Sequence, residues 1–535
     1  MRGGLETLTP DYVIVGAGSA GCILADGLSA SGRNKVTVLE AGPTDNHPLV
    51  RIPLGYGLLF NDRTRNYRYF SLPEPNLNGR SLYVPRGRTV GGSGSINALV
   101  YCRGLPGDYE SWRQSGLEGW GWEDVRPCFE ANERRKGRHS GLTITDPAHE
   151  RHPFTELFLS AARELDLPRT TDFNGPSPEG VGFYHITTRA GRRDTSATAF
   201  LRPAVRQGRV RLETAAQVMQ ILFDGKRATG VVYRKGDATI TLRAAKAVVL
   251  AAGAIDSPRL LQVSGIGDPD HLGEIGVETR LENRNVGMGL QDHLYLGYQF
   301  RTDRPTLNAQ LATSMALGWN VLRYLLTRRG PVSNSVNQFG GFVRSDAAQA
   351  EPGLQLYFNP ASYSESRRAG ARGMRCDPFP GFTLGFSPTR PTSRGWVRAA
   401  SSQLDDAPSI RLNALDTEKD RRDVVAGGRF IERTMRSKAI SETIAGALSP
   451  TPLGMSDDAI LQDFRERSVS TYHPCCTCAM GTDPDISVVG PDLAVHGIER
   501  LYVADASVFP SIPSGNINAP TLMVAGAAIP RILAS

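Results

Sequence analysis

The segment Ser470-Thr471-Tyr472-His473-Pro474-Cys475-Cys476-Thr477-Cys478 places an imidazole beside three thiols. An imidazole titrates near pH ~6.5, so at neutral pH it can take the proton of a hydroxyl. Pro474 restricts the backbone next to it. Two other readings of the segment stay open. Cys475-x-x-Cys478 next to His473 has the spacing of metal ligands, and a Cys-x-x-Cys pair can exchange disulfides. Structural zinc wants four ligands, and the remaining cysteines at 22, 102, 128 and 376 supply no second pair, so no metal site is assigned. Small thiols packed in a core complete the set of readings.

At the other end of the chain, Gly16-Ala17-Gly18-Ser19-Ala20-Gly21 is a Gly-x-Gly-x-x-Gly run. Gly16 permits a tight turn, Gly18 lets the backbone approach a pyrophosphate, and Gly21 lets helix and strand pack closely. Glu40 follows Gly21 by nineteen residues, where a carboxylate can bind ribose hydroxyls and would repel a 2′-phosphate. These residues bind a dinucleotide, disfavour NADP, and do not separate FAD from NAD.

The elements that must position these groups are legible nearby. Tyr12-Val13-Ile14-Val15 reads as a buried parallel strand, residues 19–30 as a helix, and Val36-Thr37-Val38-Leu39 as a second strand. Residues 44–110 read as long ordered loops, which tend to be functional. A helix is expected over 155–166, strands over 218–223, 229–233, 239–242 and 247–250, and a mixture over 300–450 with a helix near 417–437. Short strands and a final helix close the chain.

Three further stretches carry a resemblance. Gly87-Arg88-Thr89-Val90-Gly91-Gly92-Ser93-Gly94-Ser95-Ile96-Asn97-Ala98 is a second glycine-rich loop. Gly253-Ala254-Ile255-Asp256-Ser257-Pro258 continues to Ser264-Gly265-Ile266-Gly267 after the 247–250 strand. Asp505-Ala506-Ser507 and Ser514-Gly515-Asn516-Ile517-Asn518-Ala519-Pro520-Thr521 lie near the C-terminus. Together these resemble the glucose–methanol–choline family of FAD oxidoreductases over residues 10 to 530, nearest its bacterial branch of L-sorbose, polyethylene-glycol and choline dehydrogenases.

The resemblance implies FAD. It implies that Gly16, Gly18, Ser19, Ala20 and Gly21 hold the pyrophosphate, with Glu40 and Ala41 at the ribose and the Val218 backbone at the adenine. Arg88, Val90, Gly91, Gly92, Ser95, Asn97 and Ala98 would form the loop beside the isoalloxazine. Asp505, Ala506, Asn518, Pro520 and Thr521 would lie by the ribityl chain and the pyrimidine end. His473 would face flavin N5 as the catalytic base. Four positions before Pro520, Asn516 would be its partner, orienting an alkoxide without titrating. Some relatives tether the flavin through a histidine in the second glycine loop; Ile96 stands there, so a non-covalent FAD is expected. The chain departs from the family at Gly289, where Asn is usual. His293, after Gln291-Asp292, reads as a structural residue near the cofactor.

The expected fold is α/β (α+β overall): a Rossmann-type FAD domain from residues 1–300 and 461–535, and a substrate domain over 301–460 built on an antiparallel sheet. The expected reaction oxidises a sugar, polyol, glycol or other alcohol to the carbonyl, with a quinone, dye or oxygen as electron acceptor and dehydrogenase behaviour ahead of oxidase behaviour. A lyase or photodecarboxylase on the same scaffold is the rival enzyme reading, and a flavin-binding protein without catalysis the non-enzymatic one.

Bulk properties exclude other classes. At 535 residues the chain exceeds one compact core. Net charge is +7, but the basic residues are scattered apart from short runs at 134–136 and 367–368, which leaves nucleic acid without a docking face. No apolar run reaches membrane-spanning length, and Met1 to Pro10 lacks the apolar core of a signal peptide. A cytoplasmic protein is expected. The seven cysteines, an odd number, argue against a disulfide framework.

Overall fold

Short runs that are apolar on both sides can only be satisfied between two layers, and four of them build the central sheet. In a computed structural model, which describes residues 9–134, 141–346, 348–363 and 375–535, five parallel strands lie in the order Leu501–Val503, Ala247–Leu250, Tyr12–Val15, Val36–Glu40, Val210–Thr214. Tyr12–Val15 occupies the centre and is buried along its whole length. Of the basic runs, Arg135, Lys136, Arg367 and Arg368 lie outside the described residues.

The turn after the central strand depends on glycine. Gly16 has φ +100°, and a Cβ on Gly21 would sit 1.9 Å from the Gly16 carbonyl oxygen. The Ser19–Leu28 helix therefore starts directly against the sheet. It has no side-chain cap and no acidic residue in its first turn, so its N-terminal amides are left for something else. The C-terminal helix Asn518–Ala534 packs against it, and Ile529 fills the place a side chain on Gly27 would take.

The second layer is an antiparallel sheet in the order Gly446–Ala447, Leu294–Arg301, Gly381–Pro388, Leu354–Asn359, Phe339–Val343, Gly180–Phe183, with Val469–Ser470 pairing beside Leu294 and Tyr295. It is not confined to residues 301–460, because it recruits strands from around 180, 294 and 469. The Glu418–Arg436 helix lies against it, presenting Val424, Phe430, Ile431 and Met435 to the core.

The expected helices at 155–166 and 417–437 occur as Thr155–Glu164 and Glu418–Arg436. The loops of 44–110 contain short helices at Pro48–Arg51, Tyr56–Leu59 and, at their end, Pro106–Gln114. The Ser314–Thr327 helix has no counterpart among the expected elements. Its apolar residues point outward, so it lacks the inward stripe that marks a packed helix.

The contact at Gly21 yields a direct test. Gly21→Ala forces the helix off the strand, so unfolding free energy should drop by roughly 1–3 kcal/mol or more, the usual cost of overpacking. Denaturant unfolding of the two proteins measures it, and equal midpoints would contradict the close packing.

Candidate active site

One cavity of about 940 Å³ runs from the first glycine turn to the antiparallel sheet, at the upper end of ligand-site sizes. Gly16, Gly18, Ser19 and Ala20 line its inner end with Glu40 and Ala41, and Val218 lies in the same wall. The bare Cα of Gly18 is informative. A Cβ there would meet protein atoms only at 3.8 Å or more, so the fold itself does not demand glycine; the missing side chain leaves room in the cavity. With the open helix N-terminus beside it, the spot suits a diphosphate. Glu40 is buried, and its carboxylate accepts from Ala17 N–H (2.9 Å) and Gly42 N–H (2.8 Å), so it stiffens the turn as well as facing the cavity.

The second glycine loop splits into lining and framework. Gly92, Asn97 and Ala98 line the cavity, whereas Arg88, Val90, Gly91 and Ser95 stand behind it. Gly91 N–H donates to the Ala17 carbonyl (2.7 Å), and Ser95 Oγ–H donates to the Val90 carbonyl (2.8 Å). These bonds press the two glycine loops together until a Cβ on Gly92 would lie 2.7 Å from Gly18 Cα. Asp505, Ala506, Asn518 and Thr521 also line the cavity. Asp505 accepts from Gly253 N–H and Ser257 Oγ–H, and Ser19 Oγ–H donates to Asn518 Oδ1 at 2.8 Å. Gly21 and Pro520 do not reach the cavity; Gly21 supports the turn and Pro520 opens the last helix.

His473 and Asn516 meet at the outer half of the same cavity. His473 Nε2 lies 3.2 Å from Asn516 Nδ2. Its Nδ1 lies 3.1 Å from His293 Nδ1 and 2.9 Å from Thr471 Oγ1. His293 Nε2 is 2.8 Å from the Thr389 carbonyl, which can only accept. His293 therefore carries its proton on Nε2 and offers Nδ1 as an acceptor, while Thr471 Oγ–H donates to the His293 carbonyl and accepts in turn. Both acceptors require His473 to be protonated on Nδ1, which leaves Nε2 with a lone pair toward the cavity.

The amide side agrees. Gln355 Nε2–H donates to Asn516 Oδ1 (3.2 Å), and Tyr357 O–H donates to Gln355 Oε1 (2.7 Å). Asn516 must then turn its NH2 toward His473 Nε2. An unprotonated nitrogen beside an N–H donor can accept the proton of a hydroxyl and hold the oxygen left behind.

Burial keeps this nitrogen a base. Desolvation, then the neighbouring His293 and the Arg86 guanidinium, holds the His473 pKa well below the ordinary imidazole range. Burial likewise brings His293 down to about 4. Asp292 anchors the segment from behind: it accepts from His473 backbone N–H (2.7 Å) and from Ser470 Oγ–H (2.5 Å), and burial raises its carboxyl to about 6.

His293, expected as a structural residue near the cofactor, lies in direct contact with the His473 imidazole. Gln355, Tyr357 and Arg86 carry no signal in the sequence. The contacts of Gln355 with Asn516 and of Arg86 with Tyr472 span 161 and 386 positions, and Tyr357, which donates to Gln355, also lines the cavity itself. At Gly289 the departure from Asn is conformationally mild: φ is +83°, a region that Gly and Asn both tolerate. Cys475, Cys476 and Cys478 are wholly buried, and burial raises the thiols of Cys475 and Cys478 well above their usual range.

Residues 10–295 and 391–525 match the N- and C-terminal models of the GMC oxidoreductases. The chain is 36% identical over 526 residues to the alcohol dehydrogenase [acceptor] of Pseudomonas putida, covering 96% of this chain and 94% of that protein. It is 35% identical to the oxygen-dependent choline dehydrogenase of Photobacterium profundum, covering 98% and 93%. Among solved structures, pyridoxine 4-oxidase from Mesorbium loti superposes with a TM-score of 0.86 at 30% identity, covering 98% of this chain and 99% of that one.

The support of Asp292 is testable on stability alone. Asp292→Ala strands two buried donors, each costing about 1–3 kcal/mol, so a loss of roughly 2–6 kcal/mol is expected in denaturant unfolding. Asp292→Asn keeps an oxygen for His473 N–H and should lose less; equal losses would rule this accounting out.

Proposed function

The chain belongs to the GMC oxidoreductase family, FAD-dependent oxidoreductases acting on CH–OH groups, and we propose that it oxidises alcohols with an apolar or aromatic body through His473 and Asn516. The glycine cradle, the open helix N-terminus and Glu40 hold FAD. When bound, FAD supplies the two-electron acceptor for the carbinol carbon. His473 Nε2 takes the hydroxyl proton, and Asn516 Nδ2–H steadies the alkoxide oxygen. Thr389, His293 and Thr471 fix the imidazole tautomer; Gln355 and Tyr357 fix the amide.

The observation that supports this substrate class is the wall around the pair. Tyr56, Phe60, Tyr295, Val336, Tyr357 and Tyr472 line it; of the carboxylates that also line the cavity, Glu40 ends a cofactor-side strand, Asp505 follows one, Asp256 lies on the Gly253–Val263 helix, and Glu466 lies beside Arg467. Aromatic walls exclude water and bury an apolar body, and they strengthen the hydrogen bonds at the reacting oxygen. The Pseudomonas putida relative, an alcohol dehydrogenase [acceptor], favours a dye or quinone over oxygen as the oxidant here. We read the protein as cytoplasmic.

Anaerobic stopped-flow reduction of the flavin tests the assignment. Aliphatic and aryl alcohols should bleach it faster than choline or sugars, and turnover with a dye should exceed turnover with oxygen. His473→Ala should slow reduction by roughly 10²–10⁴-fold with FAD retained, the range of a general base. Asn516→Ala should lose less, about 1–3 kcal/mol in barrier, because proton removal survives. Protonated His473 cannot accept the proton, so the rate should stay flat through pH 6.5 and fall only in more acid solution, following the lowered pKa. A wild-type rate in His473→Ala, or a fall centred at pH 6.5, would remove the basis for the mechanism.

We also propose that FAD is held without a covalent bond. Ile96, which lines the cavity, is buried and has no nucleophilic atom. Acid precipitation should release all yellow colour into the supernatant; colour remaining in the pellet would refute the proposal.

A further inference from the structure

The Ser314–Thr327 helix is inverted relative to a packed surface helix. Its buried positions are Asn320 and Tyr324, and Asn320 donates to the Gln310 and Ala316 carbonyls (3.0 Å each). The opposite face carries Met315, Trp319, Leu322 and Leu326, exposed by 85, 67, 47 and 76%. Their spacing of four, three and four places them on one stripe. Leu325, 51% exposed, flanks it. Isolated exposed apolar residues are ordinary, but a contiguous stripe that includes Trp marks an interaction surface.

Charge and size identify the partner. From Arg304 to Arg344 the chain has five Arg and no Asp or Glu. Arg323 and Arg329 are exposed on or just beyond the helix, with Arg328 partly so. Fourteen residues make a rod about 21 Å long, short of a bilayer core of roughly 30 Å. Among the described residues no helix is long and apolar enough to cross a membrane. A face about 21 Å by 10 Å also falls well short of the ~800 Å² per partner of a standard protein interface. An apolar stripe with Trp, bordered by Arg and carrying no acidic residue of its own, with the Glu150 carboxylate at its end tied to the Gly330 N–H, has the composition of a helix lying in the plane of a headgroup layer.

We propose that this helix seats the protein on an anionic lipid bilayer, with Met315, Trp319, Leu322 and Leu326 among the acyl chains and Arg323, Arg328 and Arg329 at lipid phosphates. The seat lies close to the chemistry. Leu307 and Leu311, on the preceding helix, pack with Val336, and Val336 lines the cavity. The docking itself is independent of which alcohol is oxidised.

Vesicle flotation of the holoprotein tests this, with vesicles of phosphatidylcholine alone and of equimolar phosphatidylcholine and phosphatidylglycerol. The protein should float with the anionic vesicles, less with neutral ones, and less as salt is raised. The triple variant Met315→Ser/Trp319→Ser/Leu326→Ser should bind at least about tenfold more weakly. Its thermal unfolding and its dye-linked turnover in solution should match wild type, because these side chains are exposed and outside the cavity. Arg323→Glu/Arg329→Glu should abolish the preference for anionic vesicles. Wild type staying in the soluble fraction with anionic vesicles overturns the proposal, as does a triple variant that floats like wild type. A dimer by light scattering that the triple variant dissociates, without flotation of wild type, overturns it in favour of a second copy.

Discussion

A nitrogen that is to accept a proton inside a protein must be kept unprotonated and aimed at once, and here one hydrogen-bond chain does both. Thr389 carbonyl, His293, His473, Asn516, Gln355 and Tyr357 follow one another with each donor facing an acceptor. Reversing any one member would leave two donors or two acceptors opposed in a dry site, which low dielectric makes costly. The chain crosses from the cofactor half to the antiparallel sheet. Thr389 follows the Gly381–Pro388 strand, Gln355 and Tyr357 sit on Leu354–Asn359, and Asn516 precedes the last helix. The second layer is therefore more than a cover over the cavity: it sets the tautomer of His473.

The groups legible in the sequence are those whose partners lie close in the chain. The strand, turn and helix at 12–28 can be read because Gly16, Gly18 and Gly21 each answer a local demand of backbone or ligand. His473 stands out through its own segment. His293 carries a signal only in its Gln291-Asp292 neighbours, and nothing local states that it lies 3.1 Å from a residue 180 positions away. Gln355 sits in a strand that reads as apolar, where a buried amide looks like any half-buried polar residue. Arg88, Val90, Gly91 and Ser95 share a motif with Gly92 and Asn97, and a motif does not separate residues that touch a ligand from those that shape the loop behind it. The Ser314–Thr327 helix is hard to read because its apolar stripe answers to something other than this chain's core.

The acid–base character of the site follows from burial more than from charge pairing. His293 and His473 are both driven toward neutrality by desolvation, and Arg86 opposes any imidazolium that would form. Asp292 makes no ion pair with either ring; it holds His473 by the backbone. The inner end of the cavity is built from backbone amides and small side chains, and the outer end from aromatic rings around the imidazole pair.

The bond from Ser19 to Asn518 closes the dinucleotide turn with a residue 499 positions further along. At the roughly 5–20 residues per second of protein synthesis, the opening segment waits about 25–100 s on the ribosome for its partner. During that time its βαβ unit exists with the last helix absent, and Gly27 has no Ile529 to pack on. The dinucleotide turn can be completed only after the whole chain has left the ribosome, and the final helix acts as the latch that ends the wait.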